Sequence, residues 1–230
     1  PFLGQGLCQG IKDVYNLHWK LDGVIRGKYA DRVLETYSDE RISIVKSVTE
    51  TAIKHGGVIG TQNKYVALIR DTLLTVARIF PKLLSFFDFY HPWQIDNGLI
   101  DKTLYPNKAN GIVIPQPSLE LKVNNKPFDQ YIGYNFALIV FNQTERLFNN
   151  IKALESSKIF KNNIYSIDKD NPFNEDSNFI KWRKDNNISA VIIRPDRHVY
   201  GCCDDESMIA KVDQLNKKLI SELTWTKYLN

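Results

Sequence analysis

The residues best placed to do chemistry lie at the start of the chain, in a glycine-rich segment that leads into an amphipathic helix. The segment reads PFLGQGLCQG over residues 1–10, and Gly4, Gly6 and Gly10 free the backbone for close approach to a ligand. The helix that follows directs its unpaired N–H groups and the positive end of its dipole toward the same place. Such an arrangement suits an anion or the electron-rich edge of a ring.

Three amphipathic helices are predicted to position this segment. Apolar residues at helical spacing predict helix one over about residues 10–26, helix two from Asp31 to Gly56–Gly57, and helix three from Lys64 toward Phe80. Asp31 is expected to cap helix two, and Gly27 to close helix one. The predicted apolar stripe of helix one comprises Ile11, Val14, His18, Leu21 and Ile25. His18 is therefore expected to be a partly buried packing residue.

In the second half of the chain, short apolar runs alternate with helical patterns. The predicted strands are Phe136–Phe141, Ile164–Ile167, Ala190–Ile193 and His198–Cys202. The predicted helices are Gln143–Glu155, Ser177–Asp185 and a last one on Met208, Val212, Leu215, Leu219 and Leu223. The order β-α-β-α-β-β-α is typical of a thioredoxin-like α/β sandwich. A linker rich in Pro and Asn-Gly predicts a boundary near Tyr105, which divides the chain into residues 1–105 and 106–230.

Composition excludes several classes of function. The 30 basic and 26 acidic residues give a net charge of +4 and are dispersed, so no nucleic-acid partner is expected. No run of about 18 apolar residues and no signal peptide is present, which predicts a soluble cytoplasmic protein without a membrane partner. The three cysteines and four histidines lack metal-ligand spacing, so no metal is expected. Because Met208 is the single methionine, we expect the chain to be the C-terminal part of a longer protein.

Two sets of residues carry a resemblance to a known family. The segment PFLGQGLCQGI, followed by Asp13, Asn16-Leu17, Trp19-Lys20-Leu21 and later Glu40-Arg41, resembles the C-terminal signature of single-component FAD-dependent aromatic hydroxylases. These are the p-hydroxybenzoate, phenol and 3-(3-hydroxyphenyl)propionate hydroxylases. Residues 194–201, RPDRHVYG, look like the thioredoxin-like extension of the larger members. The fold implied is the helical C-terminal part of a FAD-binding monooxygenase domain, followed by a thioredoxin-like α/β sandwich.

The resemblance also implies a chemistry and a set of site residues. Family members use FAD, NADH or NADPH, and O2 to hydroxylate a phenolic ring, and the cofactor does the difficult chemistry. The implied cofactor-binding residues are Pro1, Gly4, Gln5, Gly6, Leu7 and Cys8. The N–H groups of Leu7 and Cys8 would stabilise the charge that appears on the reduced flavin, Gln5 would lie along its edge, and Pro1 near its reactive face. No residue is assigned as a catalytic acid or base. The implied partners are a missing N-terminal FAD-binding half and a phenolic small molecule, and a homodimer is left open.

An alternative from another class is a non-catalytic remnant or assembly module that cannot bind FAD alone.

Several residues are assigned to structure rather than to chemistry. Glu40-Arg41 is interpreted as part of structural ion pairs, Asp13, Asn16, Trp19 and Lys20 as framework, and the aromatic run 86–90 as packing rather than a pocket lining or a dimer contact. Cys202–Cys203 is interpreted as a non-redox pair in a strand, and Arg194–Arg197 as an exposed hairpin turn.

Overall fold

A four-stranded sheet forms the second half of the molecule. The computed structural model describes residues 5–79 and 94–224. The strands are β1 (Ala137–Phe141), β2 (Ile164–Ile167), β3 (Ala190–Ile193) and β4 (Val199–Cys203). Their order is β2-β1-β3-β4, with β2 parallel to β1, and with β3 antiparallel to both β1 and β4. The predicted thioredoxin-like topology is thus confirmed.

Seven α-helices surround or precede this sheet in the described parts of the chain. The first three come from the N-terminal part, and the other four belong to the sandwich. They are α1 (Gln5–Ile25), α2 (Glu35–Ile59), α3 (Lys64–Ile79), α4 (Phe128–Ile132), α5 (Glu145–Ala153), α6 (Ser177–Asp185) and α7 (Met208–Thr224). Thr144 and Asp176 begin α5 and α6 by accepting the amide hydrogens of Leu147 and Phe179. None of the helices in the described ranges is long and apolar enough to cross a membrane.

Strands β1, β3 and β4 are buried on both faces because helices or loops cover each side, and the edge strand β2 is partly buried. One face packs against the predicted apolar stripe of α7, and the other against an aromatic cluster. The first layer contains Leu138, Val140, Ala190, Ile192, Leu215 and Leu219, and the second contains Ile139, Phe141, Val191, Ile193, Phe128, Phe173 and Phe179. Trp19, Val33 and Leu99 join the first layer, so the helical part contributes to the same core.

The helical part differs from the sequence prediction at its boundaries. α1 begins at Gln5 rather than near residue 10, because Gly6 and Gly10 adopt helical backbone conformations there. Asp31 does not cap α2 but begins a 3-10 turn, Asp31–Leu34, that leads into Glu35. α2 continues past Gly56 and Gly57 to Ile59. Gly27 closes α1 as predicted, with a left-handed φ of 64°.

The segment after residue 94 runs along β4 and joins the two parts. The Asp101 amide donates to the Tyr200 carbonyl at 2.6 Å, and the Gly111 amide donates to the Val199 carbonyl at 2.8 Å. Gly111 has a φ of +82°, and an added Cβ would lie 2.2 Å from the Ile95 carbonyl oxygen, so only glycine fits. These contacts lie on both sides of residue 105, where the predicted boundary stays a prediction.

Candidate functional site at the start of α1

The first turn of α1 places three of the predicted cofactor-binding residues together at its N-terminus. Gly6, Leu7 and Cys8 are exposed, and the first four N–H groups of a helix that begins at Gln5 have no intrahelical acceptor. This turn carries no acidic side chain, so the positive end of the dipole is not neutralised from within it. Pro1 and Gly4 lie outside the described residues, as does the aromatic run 86–90. The backbone of Gln5 belongs to the helix.

The exposed face of α1 is apolar, and its buried face is polar apart from Trp19. Leu7, Ile11 and Ile25 are 76%, 58% and 81% exposed. His18 is also exposed, so its prediction as a packing histidine is wrong. Helical spacing places Gln9, Asp13, Asn16 and Lys20 on the opposite side, and three of these four are buried. The chain therefore attaches α1 by polar contacts and by the buried Trp19, and its apolar stripe is exposed.

Arg41 of α2 holds the buried face of α1 near its N-terminus. Its Nε donates to Asp13 Oδ1 at 2.6 Å, and its Nη2 donates to Gln9 Oε1 at 2.8 Å. Gln9 and Asp13 are one helical turn apart, and Gln9 directly follows the first-turn residue Cys8. Arg41 thus fixes the side of the helix that lies directly behind the candidate site.

Glu40 holds the same face one and two turns further along. Its Oε2 accepts hydrogen bonds from Asn16 at 2.6 Å and from Lys20 Nζ at 2.8 Å. Its Oε1 accepts from the Leu99 amide at 2.9 Å. Burial raises the pKa of this carboxyl group, but Arg194 and Lys20 outweigh burial and lower the pKa to about 2. Glu40 is therefore ionised at neutral pH although it is fully buried.

Arg194 reaches Glu40 from the turn between β3 and β4. Its Nη1 and Nη2 donate to the two Glu40 carboxylate oxygens at 2.8 and 2.7 Å. Its Nε and Nη2 donate to Asp196 at 3.0 and 2.6 Å. Arg194, Asp196 and Arg197 are 0%, 4% and 7% exposed, so the prediction of an exposed hairpin turn is wrong. The turn folds inward because the Arg194 guanidinium is paired with two carboxylates within the protein, those of Glu40 and Asp196.

Four buried charges therefore form one neutral cluster. Lys20 and Arg194 supply two positive charges, and Glu40 and Asp196 supply two negative charges. Burial and the nearby Arg194 lower the pKa of Lys20 to about 8, against the attraction of Glu40. Arg194 and His198 lower the pKa of Asp196 despite its burial. The predicted structural role of Glu40 and Arg41 and the framework role of Asp13, Asn16 and Lys20 are confirmed. Arg194, which completes the cluster, was not predicted as a partner of Glu40.

An aromatic cavity of about 320 Å³ adjoins the outer side of α1. Its lining includes Trp19, Tyr29 and Tyr134. The Trp19 ring makes edge contacts with Tyr29 and Phe136 at 5.9 and 5.3 Å between ring centroids. Burial raises the pKa of Tyr29 to about 12, so its hydroxyl is neutral at physiological pH. Trp19 is a packing residue at the junction of the two parts, as predicted.

The paired cysteines are structural, as predicted. Cys202 and Cys203 lie buried in β4 and form no disulfide. Burial raises the pKa of both thiols, that of Cys203 to about 12. The Cys202 thiol donates to Asn110 Oδ1 at 3.3 Å. A neutral buried thiol is a poor nucleophile, and two adjacent residues of one strand differ from the CxxC arrangement of a thioredoxin-type redox centre.

Comparison with known families finds a match for each of the two parts of the chain. Residues 1–52 match the family model of the FAD binding domain, and residues 111–218 match that of the HcaD C-terminal domain. The resemblance to FAD-dependent aromatic hydroxylases is confirmed. The first match includes the glycine-rich segment, α1 and the Glu40-Arg41 pair, and the second includes the whole sheet.

Curated relatives of this hydroxylase group match most of the chain. A 3-(3-hydroxy-phenyl)propionate/3-hydroxycinnamic acid hydroxylase of Mycobacterium sp. (strain JLS) is 27% identical over 220 residues, which cover 87% of this chain and 39% of the relative. A similarly named hydroxylase 2 of Burkholderia vietnamiensis is 40% identical over 148 residues, covering 60% of this chain and 26% of the relative. The chain therefore spans well under half the length of these relatives.

Solved structures of flavoproteins share the fold. The flavin-dependent monooxygenase PieE, in complex with FAD and substrate, has a TM-score of 0.63 at 16% identity, covering 96% of this chain and 45% of PieE. RebC soaked with K252c has a TM-score of 0.62 at 18% identity, covering 95% of this chain and 42% of RebC. The mixed α/β architecture, with helices followed by a thioredoxin-like sheet, is thus shared across the described length.

Proposed function

We propose that this chain forms the C-terminal part of a flavin-dependent monooxygenase that hydroxylates a phenolic compound, with FAD as cofactor and NADH or NADPH as reductant. The observation that carries this proposal is the match of residues 1–52 to the FAD binding domain, which coincides with an exposed helix N-terminus. The similarity to 3-(3-hydroxy-phenyl)propionate hydroxylases favours a phenol that carries a side chain. FAD, when bound, supplies the oxygen-transfer chemistry.

The first turn of α1 fits the pyrimidine rim of a flavin. The amides of Leu7 and Cys8 are donors at the positive end of the dipole, and the rim becomes anionic when the flavin is reduced. Gly6 has no side chain to block approach, and Gly4 is assigned the same role. Gln5 is proposed to lie along the flavin edge, and Pro1 near its reactive face. None of these roles requires a titrating side chain.

The exposed apolar stripe of α1 is proposed to bind the N-terminal FAD-binding part of the enzyme. Leu7, Ile11, Val14 and Ile25 are exposed and lie on one side of the helix. α3 also carries exposed apolar residues, including Leu68 and Ile69. Exposed apolar residues grouped on one side of a helix favour an interaction site. The dinucleotide-binding motif and most of the substrate pocket are assigned to that partner segment.

Three further assignments stay predictions. They are the division into residues 1–105 and 106–230, the cytoplasmic location, and the homodimer. The boundary is supported by the Pro and Asn-Gly content of the linker, whereas the buried cluster around Glu40 joins the two sides.

Reconstitution tests the proposed function. The chain is co-expressed with the N-terminal part of a curated relative, and the complex is examined for a bound yellow flavin and for phenol-dependent NAD(P)H oxidation. Leu7→Pro removes one first-turn amide without loss of an intrahelical hydrogen bond, and Leu7→Ala is the matched control that keeps the amide. We expect Leu7→Pro to weaken FAD binding about 10- to 100-fold, the value of one hydrogen bond to a charged group.

The outcomes separate the proposal from its alternative. A colourless wild-type complex with every N-terminal partner would favour a non-catalytic remnant or assembly module. Equal FAD affinity for Leu7→Pro and Leu7→Ala would remove the helix N-terminus from the flavin site, while leaving the monooxygenase assignment in place.

A further inference from the structure

Besides a hydrogen bond to the Leu99 carbonyl at 2.9 Å, the Arg194 side chain donates four hydrogen bonds to carboxylates of the network behind the candidate flavin site. Two go to Glu40, at 2.8 and 2.7 Å, and two to Asp196, at 3.0 and 2.6 Å. Glu40 in turn accepts from Asn16 and Lys20 of α1. Asn16 also donates directly to Asp196 at 3.2 Å. The β3–β4 turn and α1 are therefore connected through two paths.

Bidentate guanidinium contacts fix orientation as well as distance. The planar fork of an arginine matches a carboxylate in a single plane, which a lysine or an apolar side chain cannot do. Arg194 makes such a contact on each side, and its guanidinium lies 5.4 Å from the centre of the Trp19 ring. Buried ion pairs often add little net stability compared with apolar residues of the same volume. The main effect of the Arg194 contacts is therefore to fix the orientation of α1 relative to the β3–β4 turn.

The geometry of α1 turns a small rotation at Asn16 into a displacement at the candidate site. Asn16 lies nine residues from Leu7, which corresponds to about 13 Å at 1.5 Å per residue. A tilt of about 4° around Asn16 would therefore move the Leu7 amide by about 1 Å. A shift of this size removes a hydrogen bond to a ligand and reduces the rate of a positioned reaction by about 100-fold.

We propose that Arg194 is a positioning residue, through which the thioredoxin-like half sets the orientation of α1 and of its first-turn amides. The flavin consequence rests on the proposed function, whereas the positioning of α1 rests on the contacts alone. The thioredoxin-like half then has a mechanical role, which does not involve the cysteines buried in β4.

Amide hydrogen exchange of the purified chain tests the positioning directly. Arg194→Met removes both forks, and Arg197→Met is the matched control from the same turn. Arg197 is equally charged and nearly as buried, but it donates to the Gly133 and Asp129 carbonyls at 2.7 and 3.0 Å, within the thioredoxin-like half. We expect Arg194→Met to accelerate exchange in α1 at least about 10-fold more than in β1 and β3, whereas Arg197→Met does not favour α1. Uniform acceleration with both variants would overturn the inference.

Two further variants keep the test decisive if Arg194→Met does not fold. Glu40→Gln/Arg194→Gln removes one charge of each sign and leaves Lys20 and Asp196 balanced, so it is expected to fold with a loosened α1. Arg194→Lys keeps the positive charge but cannot form the bidentate contacts. Compared with Arg194→Met, it should recover more of the free energy of unfolding than of the amide-exchange protection of α1. Full protection of α1 in the double variant would overturn the inference.

The flavin readout uses the complex reconstituted with the N-terminal part. Poorly aligned amides stabilise the anionic reduced flavin less, so Arg194→Met should make the flavin midpoint potential more negative, whereas Arg197→Met should not. An unchanged potential in Arg194→Met would overturn the flavin consequence. A wild-type complex that binds no flavin would instead overturn the proposed function, while the exchange measurement still decides the positioning of α1.

Discussion

At the scale of single residues, buried charges fix the geometry behind the candidate site. Glu40 and Arg41 could be assigned to structural ion pairs from the sequence, because a carboxylate beside a guanidinium on a helix is rarely catalytic. Arg194 could not be predicted as the partner of Glu40, since 154 residues separate them and periodicity carries no information about long-range pairing. The Arg-Pro-Asp-Arg sequence has the composition of an exposed turn, and its burial is explained by the carboxylate and carbonyl partners of its two arginines.

The ionisation of Glu40 predicts an acid-dependent loss of stability. Its pKa is about 2 in the folded protein and near 4.5 in the unfolded chain, so its contribution is complete above pH 4.5 and is lost as the pH falls toward 2. The shift corresponds to about 3 kcal/mol. We expect Glu40→Gln to lower the free energy of unfolding at pH 7 by about 3–5 kcal/mol, because Arg194 is left with one carboxylate partner. The variant should also show a flatter pH dependence between pH 4.5 and 2 in urea titrations.

Glu155→Gln is the control for this measurement. Glu155 pairs with Lys158 on the surface, where both side chains are largely exposed, and its removal should change neither stability nor pH dependence appreciably. An unaltered pH profile in Glu40→Gln would contradict the assignment of the depressed pKa to this carboxyl group.

The three thiols should differ sharply in reactivity. Cys202 and Cys203 are buried with raised pKa values, whereas Cys8 is exposed at the start of α1. We expect iodoacetamide to modify Cys8 alone in the native chain, and all three residues in denaturant. Mass spectrometry of the digested protein measures this. Labelling of Cys202 or Cys203 in the native chain at the rate of Cys8 would show that β4 opens readily. That result would favour a redox role for these two thiols.

At the scale of elements, α1 shows how far the hydrophobic pattern determines burial. The pattern predicted a helix with an apolar stripe, and both exist, although α1 begins five residues earlier than expected. The expected partial burial of His18 on this stripe was wrong, because the side of α1 that faces α2 and the β3–β4 turn is the polar one. The strands and α6 were predictable, since their apolar runs and caps are local signals.

The two faces of α1 should respond differently to substitution. Ile11→Ser changes a residue that is 58% exposed, and we expect it to alter the free energy of unfolding of the chain by less than about 0.5 kcal/mol. The same change should weaken association with the N-terminal FAD-binding part, measured by titration calorimetry. Leu219→Ala, in the fully buried stripe of α7, is the comparison and should cost about 2–5 kcal/mol. A similar cost for both variants in the isolated chain would mean that the α1 stripe is buried within this chain.

At the scale of the whole molecule, the core does not stop at the predicted boundary. Trp19 and Leu99 from the N-terminal side pack in the same cluster as Phe136 and Leu138 of the sandwich, and the Ala30 amide donates to the Leu223 carbonyl of α7 at 2.8 Å. The change of pattern near residue 105 could be predicted from the sequence, because linker composition is a local property. The shared core across residue 105 could not be predicted, since it depends on side chains that meet only in the folded chain.

This continuity predicts that α1, α2 and the sheet unfold together. Separating the two sides would expose the four buried charges around Arg194 and the Trp19 packing at once, which makes a partly unfolded state costly. Hydrogen exchange at increasing denaturant should therefore give one free energy of opening for the central amides of α1 and of β1, while the exposed α3 exchanges faster. A stable sheet that persists after α1 and α2 have opened would instead show that residues 106–230 fold independently. The contacts around Glu40 would then be a docking interface between two domains, and the Glu40→Gln variant should release α1 without lowering the stability of the sheet.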